Sequence, residues 1–139
     1  MINKNDGRKY ALKVVKFHES TSEREKENAL AEVRYLASVQ HPNVISYHAA
    51  FIDEPSSCLC LVLEYANSGD LAHRIKYMRD KDQMFQEDVI LKILTQMCLG
   101  IQALHSLRIM HRDLKSANIF LTNDNIVKVG DLNVSKIAR

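Results

Sequence analysis

His111-Arg112-Asp113-Leu114-Lys115-Ser116-Ala117-Asn118 runs directly into Ile119-Phe120-Leu121, and Asp131 follows after a turn. Eight positions hold an acid, two long cations and an amide, and apolar strands bracket them. Taken alone, Asp113 could be a surface loop acid. What the stretch means depends on what surrounds it.

The composition sets broad limits. A chain of 139 residues with 46% hydrophobic and 26% charged residues is long enough for one domain with a real core. A formal net charge of +2 is too small to point to nucleic acid or an anionic membrane surface. No apolar run approaches the roughly 20 residues that span a bilayer, so no membrane span is expected. Met1-Ile2-Asn3-Lys4-Asn5-Asp6 carries no apolar signal core, and a cytoplasmic location is the expectation. Cys58, Cys60 and Cys98 sit in apolar surroundings and read as reduced thiols, since Cys58-x-Cys60 lacks zinc spacing and a second ligand pair.

Upstream, Lys9 to Phe17 is rich in β-branched and aromatic residues and predicts a strand, with Asn5-Asp6-Gly7 as a hairpin turn before it. Only four residues precede that turn, so the chain is expected to begin inside a structural unit. Ser22-x-x-Glu25 is a capping-box signature. Leu30, Val33, Leu36 and Ala37 then recur at helical spacing, with Glu32 beside the stripe. His41-Pro42-Asn43 ends this helix, because proline disfavours helical geometry in the residue before it. Strands are predicted over 44–51 and 58–65, joined by Asp53-Glu54-Pro55-Ser56-Ser57. His41 and His48 read as packing or capping residues.

Glu64 to Leu71 passes from strand into a small, polar connector containing Gly69. Asp70 opens the next helix, where an N-cap is one reading and a ligand contact the other. Lys76 to Gln83 is charged and expected to be exposed. Glu87 and Asp88 place acids in the first turn of a long helix. Its residues Val89, Ile90, Ile93, Leu94, Met97, Ile101 and Leu104 form an apolar face suited to a buried support. Past His105-Ser106-Leu107-Arg108 comes the opening stretch. Ile119-Phe120-Leu121 and Ile126-Val127-Lys128-Val129 then make a hairpin around Asn123-Asp124-Asn125, which presents Asn118 and Asp131 from neighbouring strand ends.

In this order the motifs resemble a eukaryotic protein kinase over essentially the whole chain. His111 to Asn118 fits the catalytic-loop pattern H-R-D-L-x-x-x-N, and Tyr10-Ala11-Leu12-Lys13 is a loose form of the V-A-I-K strand. Within that family, His41-Pro42-Asn43, Leu63-Glu64-Tyr65 through Gly69-Asp70-Leu71, and His111 to Asn118 are similar to the NIMA-related serine/threonine kinases. The resemblance implies an α+β, two-lobed fold. Residues 1–65 would be the small-lobe part, 66–70 the hinge and 71–139 the start of the large lobe.

It also implies transfer of the γ-phosphate of Mg-ATP to protein Ser/Thr hydroxyls. Asp113 would accept the substrate proton, and Lys115 would offset charge on the transferring group, a pattern that favours serine/threonine substrates. Asn118 and Asp131 would supply hard oxygens to Mg2+. Lys13 would hold the α- and β-phosphates with Glu32 as its partner, although a strand lysine is more often a solvated edge residue. Ala11 and Phe120 would flank the adenine, Leu63 would be the gatekeeper, Glu64 and Ala66 would give the hinge backbone, and Asp70 could touch the ribose. His111 would stack with Leu36, Tyr47 and Leu132. A cytoskeletal, centrosomal or ciliary association rests on the subfamily resemblance alone.

Three departures stand out. There is no G-x-G-x-x-G loop, D-F-G is replaced by Asp131-Leu132-Asn133, and the sequence stops at Arg139 before any A-P-E motif. The expectation is a kinase domain truncated at both ends, with little or no activity by itself and with part of the long helix's apolar face lacking partners. The competing reading is a pseudokinase or scaffold module that binds protein partners without catalysis. The protein substrate and oligomeric state are not encoded in any motif.

Overall fold

The computed structural model describes residues 1–2 and 7–132; the Asn5-Asp6 part of the expected turn and Asn133 lie outside the described residues. The chain divides into two compact units. The first holds Met1–Gln40 and Ser46–Tyr65, and the second holds His41–Ile45 and the chain from Ala66 onward.

In the first unit, β1 (Tyr10–Lys16), β2 (Tyr47–Asp53) and β3 (Cys58–Glu64) form an antiparallel sheet in the order β1-β3-β2. β3 is central and buries four consecutive residues, Cys58, Leu59, Cys60 and Leu61, which is why it reads as an unbroken apolar run. The helix α1 (Glu23–Leu36) lies against β2. Its start is the expected capping box: the Glu25 N–H donates to Ser22 Oγ at 3.3 Å, and the Ser22 N–H donates to the Glu25 carboxylate at 2.7 Å. Val33 and Leu36 are its buried residues. At the other end of the sheet, Met1 and Tyr10 exchange backbone hydrogen bonds of 2.8 Å and Ile2 bridges Lys9.

The strand expected over 44–51 is split. Val44 and Ile45 leave the first unit for the second, β2 starts at Tyr47, and a bulge at His48 shifts the register between Tyr47 and Ala49. His41–Ile45 thus belongs to the second unit.

The second unit contains α2 (Leu71–Asp80), α3 (Glu87–Ser106), a 3-10 turn (Ser116–Asn118) and the antiparallel pair β4 (Ile119–Leu121) and β5 (Val127–Val129). His41–Ile45 lies along β5: the Ile45 N–H donates to Val129 O at 2.9 Å, and the Val129 N–H donates to Asn43 O at 2.8 Å. Both helices end in a left-handed residue closed by two backbone bonds. For α3 these run from the Ile109 N–H to Leu104 O and from the Arg108 N–H to His105 O, each 2.9 Å, with Arg108 at φ 57°. Leu104 and Ile109, the apolar pair that accompanies such a cap, are fully buried. For α2 the same pattern closes on Met78 and Arg79, with Asp82 at φ 52°.

The long helix differs from the sequence expectation in one respect. Gly100 and Leu104 are buried, but Val89, Ile90 and Leu94 are 37%, 50% and 52% exposed, because α3 packs mainly on β5 and only one side of it is used. By length and composition alone α3 could cross a membrane, contrary to the reading that no run comes close. The face it does use carries Gln96 and Gly100 and is fastened to its own hairpin.

Candidate active site

The cap of α3 delivers the chain to His111, whose ring is buried. The Asp113 N–H points at His111 Nδ1 at 3.3 Å, and Nε2 lies 2.7 Å from Gly130 O. An Nδ1 that accepts leaves the proton on Nε2, which donates to the carbonyl. His111 thus ties the start of the 111–118 stretch to the residue before Asp131. Between them Arg112 adopts φ 64°, a left-handed position that turns the backbone so that Asp113 faces back toward Asn118.

Asp113 is held from two sides. Asn118 Nδ2 donates both to Asp113 O at 2.8 Å and to Oδ2 at 3.0 Å, and Lys115 Nζ sits 2.7 Å from the same Oδ2. The Lys115 ammonium, aided by the Asn118 amide, holds the Asp113 carboxyl below the usual carboxylate range despite some desolvation. Both members of the ion pair are partly exposed, so screening keeps the pair weak as a source of stability. Its consequence is an ionised carboxylate in a fixed orientation.

Asn118 closes the 3-10 turn through its N–H to Lys115 O at 2.9 Å, and its own carbonyl accepts from the Gly130 N–H at 3.0 Å. That last bond sets Asn118 beside Asp131, which sits at φ 61°. Gly130 has no room for a side chain: a Cβ there would lie 2.7 Å from the Phe120 ring and 2.8 Å from Ile45 Cγ1. The donor set suits Mg2+. The amide nitrogen of Asn118 is spent on Asp113, which leaves its amide oxygen as the acceptor, next to an aspartate. Among the described residues no group of three or more His, Cys, Asp or Glu could hold a metal by itself.

The second unit thus brings together Asp113, Lys115, Asn118 and Asp131, with Phe120 over Gly130. Asp70 caps α2: its Oδ1 accepts from the His73 N–H at 2.8 Å, and Oδ2 lies 2.6 Å from His73 Nδ1. Burial pushes the Asp70 carboxyl up, but the bonds from His73 outweigh it and the net shift is downward. Asp70 is also bridged to Phe120, and Ser68 and Gly69 exchange backbone bonds with Leu121, so the Ala66–Asp70 connector runs as an extra edge beside β4.

In the first unit, Ala11 and Lys13 lie on β1 opposite Leu63 and Leu61 of β3. Glu64 ends β3 with its carboxylate accepting from the Ser46 N–H at 3.1 Å. Glu32 is exposed on α1 rather than turned inward. Leu36 and Tyr47 are buried in the first unit, and His111 and Leu132 in the second.

Sequence reasoning used Asn43 only as part of the helix stop and the family resemblance, and passed over Gln96. Asn43 is buried, and its Nδ2 donates to Gln96 Oε1 at 3.0 Å and to Val127 O at 2.9 Å. The available signal was a glutamine within the apolar face of α3, since a polar group in a packed face needs partners.

The family model for the protein kinase domain matches residues 1–139. The chain belongs to the protein kinase family, and its sheet followed by helices is the small lobe and the beginning of the helical lobe of that fold. Among individual proteins, it is 39% identical to mouse (Mus musculus) serine/threonine-protein kinase Nek1 over 132 residues, covering 95% of this chain and 11% of that protein. It is 34% identical to mouse Nek3 over 137 residues, 99% of this chain and 25% of that protein. Mouse Nek2 is 34% identical over 139 residues, 96% of this chain and 31% of that protein. The chain therefore spans between about a tenth and a third of the length of these curated relatives.

Proposed function

We propose that this chain carries the catalytic centre of a serine/threonine protein kinase that transfers the γ-phosphate of Mg-ATP to protein hydroxyls. The observation that carries the reading is Asp113, held ionised by Lys115 at 2.7 Å and aimed by the two Asn118 amide bonds. A carboxylate so fixed orients an alcohol and accepts its proton. Lys115 then has a second task, to offset negative charge on the group being transferred. Asn118 and Asp131 would hold Mg2+ through their side-chain oxygens. When bound, that cation neutralises phosphate charge and orients the γ-phosphate.

In the first unit, Lys13 would hold the α- and β-phosphates, with Glu32 drawn in from its exposed position to pair with it. Ala11, Leu63 and Glu64 of the same unit would contact the adenine; in the second unit, Ala66 and Phe120 would be the adenine contacts. Asp70 serves as the α2 cap, and a ribose contact would compete with His73 for its oxygens.

The test is Asp113→Asn in the full-length protein. Removing the proton acceptor should lower transfer to a protein substrate by at least about 100-fold while Mg-dependent nucleotide binding persists. Undiminished phosphorylation by the variant would overturn the assignment of Asp113. Nucleotide binding without any transfer by the wild type would replace the kinase reading with that of a binding module.

A further inference from the structure

Gln96 uses both ends of its side-chain amide. Its Oε1 accepts from Asn43 Nδ2 and from the Val127 N–H, each at 3.0 Å, and its Nε2 donates to Asn125 O at 3.2 Å. Asn125 and Val127 flank the point where the hairpin turn enters β5. One helical turn further along α3, Gly100 faces Asn43 O and Val129 Cγ2. Four residues of helix rise about 6 Å and two residues of strand about 6.6 Å, so the pairs Gln96–Val127 and Gly100–Val129 stay in step along the two elements.

β5 runs straight into Gly130-Asp131, and its partner β4 begins directly after Asn118, with Ile119 opposite Val129. The hairpin is therefore a short rigid carrier. Its base presents Asn118 and Asp131, and its tip is fastened to α3 by Gln96. The tip itself is closed by the Thr122–Ile126 and Thr122–Asn125 bonds, and these fix its shape but not its height along the helix.

We propose that Gln96 is a positioning residue: by setting the height of the β4–β5 hairpin along α3, it sets where the pair Asn118 and Asp131 stands relative to Asp113 and so the Mg2+ requirement for holding nucleotide. It touches neither nucleotide nor metal. This rests on the kinase reading above.

Two variants of the full-length protein test it. Gln96→Met keeps the volume and removes all three hydrogen bonds. Gln96→Glu keeps the two bonds that Oε1 accepts and replaces the donation to Asn125 with a carboxylate oxygen facing that carbonyl. The readout is the Mg2+ concentration needed for half-maximal binding of a fluorescent ATP analogue, with KM and kcat for a protein substrate measured alongside. Gln96→Met should need about tenfold more Mg2+, the scale of loss seen when support behind a metal ligand is removed. It should lower kcat and leave KM for the protein substrate in place. Gln96→Glu should recover most of the binding, with a residual shift of about two- to threefold.

Val33→Ala, a core change confined to the first unit, provides the control for general destabilisation and should leave the Mg2+ requirement unaltered. A Gln96→Met protein that melts earlier but binds Mg-nucleotide like the wild type would overturn the proposal and leave the kinase reading standing. Should Gln96→Met fail to fold, a Gln96→Glu protein with a wild-type Mg2+ requirement would overturn it equally. A wild type without Mg-dependent nucleotide binding would bring down the kinase reading, and this proposal with it.

Discussion

Gly100 gives the sharpest test of how the second unit is packed, because two effects of known size pull in opposite directions. Alanine in place of glycine inside an α-helix gains about 1 kcal/mol of helix propensity. In this fold the new methyl would lie 2.4 Å from Asn43 O and 3.1 Å from Val129 Cγ2. The carbonyl cannot simply retreat, since it accepts the Val129 N–H at 2.8 Å while the Asn43 side chain is fixed to Gln96 and Val127. Relief needs a shift of nearly an ångström, enough to break that buried bond at a cost of about 1–3 kcal/mol. Overpacking of the helix contact adds about 1–3 kcal/mol.

The net expectation for Gly100→Ala is a loss of about 3 kcal/mol, or about 12 °C in Tm for a chain of this size. Urea denaturation followed by far-UV circular dichroism reads it directly, with the change in midpoint taken at constant slope. A variant as stable as the wild type, or more stable, would mean that helix propensity alone governs the site and that the segment at Asn43 does not press on α3.

Two further outcomes follow from backbone and charge. Arg108→Gly relieves a left-handed residue that costs about 1–2 kcal/mol for a side-chain-bearing residue, less about 0.5–1 kcal/mol for glycine's freer unfolded chain. The urea midpoint should rise by the equivalent of up to about 1.5 kcal/mol, and a fall would contradict the cap geometry. Lys115→Met removes the largest cause of the lowered Asp113 pKa, so that carboxyl should titrate nearer its ordinary value. The sign is that of a depressed carboxylate, whose contribution is present above the unfolded-state value and lost as pH falls through the folded one. Carbon-13 NMR of the Asp113 carboxyl gives the midpoint, and an unchanged or lower one would exclude Lys115 as the cause.

Local signals were legible where local physics decides. Ser22 and Glu25 marked the start of α1 because a capping box is complete within four residues. Glu87 and Asp88 marked the start of α3 because acids in the first turn complement a helix N-terminus. The 111–131 run could be read because its chemistry and its hairpin lie close in sequence. What escaped was set by pairing between distant residues. Val44 and Ile45 have the composition of a strand, and nothing nearby says that their partner is Val129 rather than β3. The requirement for glycine at Gly100 had no local signal, since the carbonyl that imposes it lies far upstream. Gln96 was passed over among apolar neighbours for the same reason. The exposure of Val89, Ile90 and Leu94 was equally invisible, as a helical stripe states which face is apolar and not how much of it is covered.

The placement of His41–Ile45 has a consequence for the order of events during synthesis. Asn43 must wait for Val127, 84 residues later, before its side chain can bond to that carbonyl. At ribosomal rates this is a delay of roughly 4 to 17 s. Closing a loop of that length costs about 4 kcal/mol in chain entropy before any contact repays it. The sheet of the first unit has all its strands once Glu64 has emerged, while His41–Ile45 still lacks its partner β5. The hairpin that carries Asn118 and Asp131 is the last described element to be made, and it finds its seat already prepared by a segment translated long before it. Docking of that early loop with the late hairpin is thus the step at which the nascent chain passes from a folded sheet with a tail to a molecule whose proposed metal ligands are in place.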